Sequence, residues 1–126
     1  MAIQRVLVVD DSPTERQVLS DFLTKQGMAV LTAEDGEQAV ACARTEQPDL
    51  ILMDVVMPGM NGYQATRVLA RDEATRHIPI IMCTSKDQPT DRIWGMRQGA
   101  LDYLTKPVDL GALMRTIQAL QSGASS

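Results

Sequence analysis

Arg5-Val-Leu-Val-Val-Asp-Asp-Ser-Pro-Thr-Glu15 decides the fold. Its first half is a near-continuous apolar run, as expected of a strand buried on both faces. Its second half opens a helix. Ser12 suits the N-cap, Pro13 the first helical position and Glu15 the third, which predicts a capping box. Val18, Leu19, Phe22 and Leu23 follow at helical spacing, and Gly27 ends the helix. A buried strand thus runs straight into an amphipathic helix, with two aspartates at the junction.

The same alternation continues outward. Met28 to Ala33 reads as a second strand, and Asp35 caps a helix to about Glu46. Pro48-Asp49 breaks the chain before a third buried strand, Leu50-Ile-Leu-Met53. Pro58-Gly59 and Asn61-Gly62 mark a loop, and a third helix extends to about Glu73. Pro79 to Thr84 is the fourth strand, Thr90 to Gln98 the fourth helix, and Leu101 to Leu104 the fifth strand. After Lys106-Pro107, Asp109 caps a last helix with Leu110, Leu113, Ile117 and Leu120 on one face, ending near Gln121. Five strands alternating with five helices give an α/β, doubly wound parallel sheet with right-handed crossovers. A ligand site then belongs at the carboxyl ends of the strands, beside the point where strand order reverses. Residues 1–121 form the domain, and 122–126 a short flexible tail.

Bulk properties narrow the function. A length of 126 residues fits one domain. With 44% hydrophobic and 22% charged residues, a normal core forms. At 3% aromatic, that core must consist of Val, Ile, Leu, Met and Ala. A net charge of −4 and a pI near 4.8 argue against nucleic-acid binding. No stretch is long and apolar enough for a membrane span, and the N-terminus lacks signal-peptide features, so the expected location is cytoplasmic. Cys42 and Cys83 read as reduced, mostly buried thiols. His77, the one histidine, reads as a surface loop residue, and the eight Met as core filler.

The chemistry lies at the strand ends. Asp10 and Asp11 close strand one, and Asp54 closes strand three. Convergent carboxylates repel, and one would be driven to protonate. A hard divalent cation removes the conflict, and Mg2+ favours one or two carboxylates with water and phosphate oxygens. Thr84 closes strand four and Lys106 follows strand five, offering a hydroxyl donor and a point charge to a phosphoryl group. Phosphoryl transfer is mostly positioning and charge stabilisation, and an aspartate can be its nucleophile. The bland alternative makes Asp10 and Asp11 a loop start and Asp54 a turn residue.

Val9-Asp10-Asp11-Ser12, Leu52 to Gly62, Cys83-Thr84-Ser85, Gly99-Ala100 and Tyr103-Leu104-Thr105-Lys106-Pro107 together resemble the CheY-like response-regulator receiver family, over residues 5 to 121. The resemblance implies a flavodoxin-like (βα)5 fold. It also implies that Asp54 is phosphorylated by a histidine kinase. Asp10, Asp11, Asp54 and the Val56 backbone carbonyl would bind Mg2+. Thr84 would be the switch hydroxyl, Tyr103 the aromatic that swings inward with it, and Lys106 the phosphate-contacting lysine before a cis Pro107. Such a protein is a phosphoacceptor that assists its own phosphorylation and dephosphorylation, not an enzyme acting on a separate substrate. A narrower resemblance, to PilH-type single-domain regulators of twitching motility, rests on Asp11-Ser-Pro-Thr-Glu15, Asn61 to Thr66, Lys86-Asp-Gln88, Trp94 to Gly99 and Leu104 to Val108.

No output domain is expected after the last helix. The signal would leave by a surface of helix four, strand five and helix five that presents Ile93, Trp94, Arg97, Tyr103 and Val108. Trp94 reads either as helix packing against the sheet or as a partner contact. A monomer is expected. Val56 and Lys86 should border the mouth of the site, and Val56 offers no hydrogen bond to orient attacking water. The competing readings are a phosphatase using an aspartyl nucleophile, a flavin carrier, a phosphate-independent interaction module, and a phosphate sink for a shared kinase. A phosphatase would place its nucleophile after strand one and needs a substrate cap. The Asp-Asp-Ser-Pro turn would repel a flavin phosphate.

Overall fold

The computed structural model describes residues 2–123. Five strands, β1 (Arg5–Val9), β2 (Ala29–Ala33), β3 (Leu50–Met53), β4 (Ile80–Thr84) and β5 (Asp102–Thr105), alternate with five helices. These are α1 (Pro13–Lys25), α2 (Gly36–Glu46), α3 (Gly62–Arg71), α4 (Pro89–Gln98) and α5 (Leu110–Ser122). All strand pairs are parallel, in the order β2-β1-β3-β4-β5. The order reverses at β1, so β1 and β3 are neighbours and their carboxyl ends flank the switch point.

The apolar runs are buried on both faces because helices cover both. On one face α1 and α5 supply Leu19, Leu23, Leu113, Ile117 and Leu120 against Val6, Val8, Leu52 and Ile81. On the other, α2 and α3 bring Ala39, Ala43, Ala65 and Leu69 down on Leu7, Val9, Ile51 and Met53. The alanines let these two helices sit close to the sheet. Near α4 a smaller cluster joins Val55, Met82, Ala100 and Tyr103.

The predicted elements are all present, with small boundary shifts that have local causes. Met28 belongs to the turn closing α1, because its N–H donates to Leu23 O. Asp72 stops α3 two residues early by accepting the Ala74 N–H at 3.0 Å. β4 begins at Ile80 rather than Pro79, and α4 begins at Pro89 rather than Thr90. β5 lies one residue later than expected: Tyr103 pairs with Met82 and Thr105 with Thr84. α5 extends through Ser122, and Gly123 caps it at φ 76°. The rest of the expected tail, 124–126, lies outside the described residues. No helix among the described residues is long and apolar enough to cross a membrane. Cys83 is buried, and burial pushes its thiol up to about 12. Cys42 is only half-buried, because it lies at the edge of the α2 packing face. His77 is exposed, as expected.

Candidate functional site

The sheet ladder itself aims the acids. Asp10 N–H donates to Ala33 O at 3.1 Å and Asp54 N–H to Val9 O at 2.9 Å. Each pairing extends a strand by one residue and turns the side chain over the carboxyl edge. Lys106 arrives the same way from β5, its N–H donating to Thr84 O at 2.8 Å. The peptide between Lys106 and Pro107 is cis.

These side chains meet although they come from distant parts of the chain. Lys106 Nζ lies 2.8 Å from Asp10 Oδ2 and 3.4 Å from Asp54 Oδ2. It also contacts Glu15 Oε2. Asp10 is 2% exposed and Asp54 5%. Ser12 N–H donates to Asp10 Oδ1 at 2.9 Å, and Val55 N–H to Asp54 Oδ1 at 2.8 Å. Arg16 donates to the Asp10 carbonyl at 2.6 Å.

Burial, and then the neighbouring Asp10 charge, push the Asp54 carboxyl above its ordinary range. Lys106, the Val55 N–H and the Thr84 hydroxyl oppose that rise. For Lys106, burial alone would lower the ammonium's pKa. Hydrogen bonds to Asp10 and Glu15, and the charges of Asp54 and Asp10, outweigh it and hold Lys106 above its ordinary range. A cation surrounded by acids stays a cation.

Among the described residues, Asp10, Glu15 and Asp54 each bring a carboxylate oxygen within 4.8 Å of the others. Oxygen donors that outnumber the one lysine suit a hard cation such as Mg2+. Asp11 stands apart from this group. It is exposed at the rim, because the chain turns into α1 immediately after Asp10. The sequence reading missed Glu15 here. It assigned Glu15 to a capping box, and only half of that box forms: Ser12 Oγ accepts the Glu15 N–H at 3.3 Å, while the carboxylate turns to Lys106.

Gly62 lets the α3 N-terminus approach the site. A Cβ there would lie 2.0 Å from the Asp54 carbonyl oxygen. Gly62 N–H also donates to Val55 O at 2.9 Å. Beside Asp54 a cleft of about 280 Å3 is lined by Val55, Val56, Met57, Asn61, Tyr63 and Lys86. Val56 is exposed at this mouth, as expected.

Thr84 is fully buried, and its Oγ1 accepts the Lys86 N–H at 3.3 Å. Tyr103 was expected on the outer face. Instead it is 3% exposed, and its hydroxyl donates to Lys86 O at 2.7 Å. Gly95 makes room for it: a Cβ there would come within about 3.0 Å of the Tyr103 ring. Burial, then the Tyr63 hydroxyl beside it, raise the Tyr103 phenol above its ordinary range. Val108 also turns inward, against the α1/α5 core. Ile93 and Trp94 point outward, at 54% and 49% exposed, so Trp94 is not packed under α4. Arg97 is exposed beside them.

The family model described as the response regulator receiver domain matches residues 6–118. Protein PilH of Pseudomonas aeruginosa is 58% identical over 119 residues, covering 94% of this chain and 98% of that protein. The chemotaxis protein CheY4 of Vibrio cholerae superposes with a TM-score of 0.85 at 36% identity, over 93% of this chain and 98% of that one. The receiver domain of a Pseudomonas aeruginosa sensor histidine kinase, solved with a magnesium ion coordinated in its active-site cleft, gives a TM-score of 0.84 at 38% identity, over 93% and 96%. A parallel 2-1-3-4-5 sheet with acids at its switch point and a family match over residues 6–118 lead to one assignment: the chain belongs to the response regulator receiver domain family.

Proposed function

We propose that Asp54 accepts a phosphoryl group from the phosphohistidine of a histidine kinase. The observation that carries this reading is the burial of Asp54 between Asp10 and Lys106 at the sheet's switch point. In the transfer, an Asp54 carboxylate oxygen forms a bond to phosphorus. The donor's bond to phosphorus breaks, and its electron pair leaves with the donor. Asp54 must be ionised to attack. Lys106, 3.4 Å away, favours the ionised form and faces the charge that develops on the phosphoryl oxygens.

The cation would be held by Asp10 and Asp54, with Asp11 and the Val56 carbonyl at the rim. When bound, Mg2+ supplies charge neutralisation between carboxylates and phosphoryl oxygens. The Thr84 hydroxyl, buried beside Asp54, would donate to the phosphoryl group. The Lys86 amide on Thr84 and the Lys86 carbonyl on Tyr103 join the site to α4 through one short loop. Phosphorylation then shifts a two-state balance by its preference for one state. Nearly complete switching takes about 5 kcal/mol of such preference. Exposed Ile93 and Trp94 on α4 favour direct binding of a protein target over a pure phosphate sink. The pathway we infer is a chemotaxis-like circuit controlling type IV pili and twitching motility. It is supported by the narrower sequence resemblance and the identity to PilH.

The test is intact mass after incubation with Mg2+ and acetyl phosphate, with Asp54→Asn in parallel. The expected result is a gain of one phosphoryl mass in the wild type only. Equal labelling of the variant would remove Asp54 from its role. A second expectation concerns lifetime. Val56 at the cleft mouth offers water no hydrogen bond, so the phosphoryl group should outlast a few seconds. Loss of label within that time, followed by quenched mass measurements, would contradict it.

A further inference from the structure

Glu15 has no role in the proposed transfer, yet its carboxylate reaches Lys106 across 91 positions of sequence. An ammonium has three N–H donors. Here three carboxylates surround it, from Asp10, Glu15 and Asp54. Its hydrogen bonds go to Asp10 and Glu15, whereas Asp54 is reached only as an ion pair at 3.4 Å. Two of its partners have other work once the site is loaded: Asp10 faces the cation, and Asp54 carries the phosphoryl group. Glu15 has neither task. It comes from the first turn of α1, its side chain is 44% exposed, and its contact with the ammonium is closer than the 3.4 Å approach of Asp54.

We infer that Glu15 is a built-in competitor for Lys106, holding the ammonium toward α1 until a phosphoryl group draws it across. The inference rests on Asp54 as phosphoacceptor. Glu15 touches no reacting atom and acts only through the lysine, so it is a positioning residue. Its contact stabilises the uncharged ground state. In the transition state the ammonium moves closer to a phosphoryl oxygen on Asp54, and part of the Glu15 contact is given up. Only interactions that differ between those two states change the rate. Glu15 therefore slows charging by the same factor whatever the donor.

Glu15→Gln keeps the size of the side chain and removes its charge. The experiment compares initial charging rates of wild type and Glu15→Gln by intact mass, with Mg2+, using acetyl phosphate and the less charged phosphoramidate. The expected gain is about tenfold for both donors, the rate equivalent of one charge-assisted contact surrendered. The gain should persist in high salt, since the contact is short-range and partly buried. Mg2+ affinity by calorimetry should match wild type, and the urea midpoint should fall slightly, because a ground-state contact is lost. Equal rates in the two proteins would overturn the inference while leaving Asp54's role intact. A gain confined to acetyl phosphate and lost in salt would mean simple repulsion of the donor, and would overturn it too. A severalfold loss of Mg2+ affinity would make Glu15 a cation ligand instead. If neither protein takes up phosphate, the Asp54 reading fails and this inference fails with it.

Discussion

Gly62→Ala should unfold about 3 kcal/mol more easily than the wild type and lose most of its phosphorylation. The added methyl would lie 2.0 Å from the Asp54 carbonyl oxygen, 2.8 Å from its carbonyl carbon and 2.8 Å from Val55 Cα. These are backbone atoms, so no side chain can swing aside. Overpacking a tight site usually costs about 1–3 kcal/mol, and a backbone clash of this depth belongs at the top of that range. The alternative to unfolding is displacement. α3 could move away, losing the bond from Gly62 N–H to Val55 O, or the strand end could shift and carry Asp54 with it. Either movement disturbs the 3.4 Å approach of Lys106 to Asp54. Urea denaturation and acetyl phosphate charging on one preparation measure both effects. Wild-type behaviour in both would mean that the α3 N-terminus does not position the phosphoacceptor.

Much of this arrangement was legible in the sequence, because most of its signals are local. β3 reads as Leu50–Met53 from a four-residue apolar run with Pro48 before it and Asp54 after it, and those are its observed bounds. Asp35 and Asp109 cap the helices they precede, since a cap is a contact between residues three apart; Asn61, read only as a loop residue, caps α3 as well. Strand-end acids are visible for the same reason. What the sequence did not reveal depends on partners far along the chain. Glu15 satisfies a local pattern, yet a lysine 91 residues away outcompetes that pattern. Periodicity in α4 does not say which way Trp94 faces, because the helix has little apolar contrast between its sides. Ile93, Trp94 and Met96 are all exposed, and Gly95 alone is buried. Tyr103 turns inward because Gly95 leaves room for its ring, a packing fact with no signature in β5 itself.

Lys106→Met should lower stability at neutral pH by about 3 kcal/mol, the low end for breaking a buried ion pair, since 14% of the lysine side chain is exposed. The methionine preserves much of the stem packing and removes the charge, leaving Asp10, Glu15 and Asp54 facing one another. The pH dependence identifies the cause. Asp54 has its folded pKa raised, so its contribution favours the folded state at low pH and is lost as pH rises through the folded value. Lys106 itself opposes that rise. Removing it lifts the Asp54 pKa further and moves the loss to higher pH. The variant should therefore recover part of its deficit on acidification below neutrality, to a greater extent than the wild type gains. On the alkaline side the wild type has a second slope. The Lys106 ammonium, held above its ordinary range, contributes stability that is lost as pH rises through its folded value, and the variant has no such loss. Mg2+ supplies a second check. A cation binding only the folded state stabilises by mass action, and it should raise the melting temperature of the variant more than that of the wild type. The variant has three acids and no lysine to balance them. Melting curves across pH, with and without Mg2+, measure all of this. A pH-independent deficit that Mg2+ leaves unchanged would mean that Lys106 contributes packing alone, and that the acids at the switch point do not need its charge.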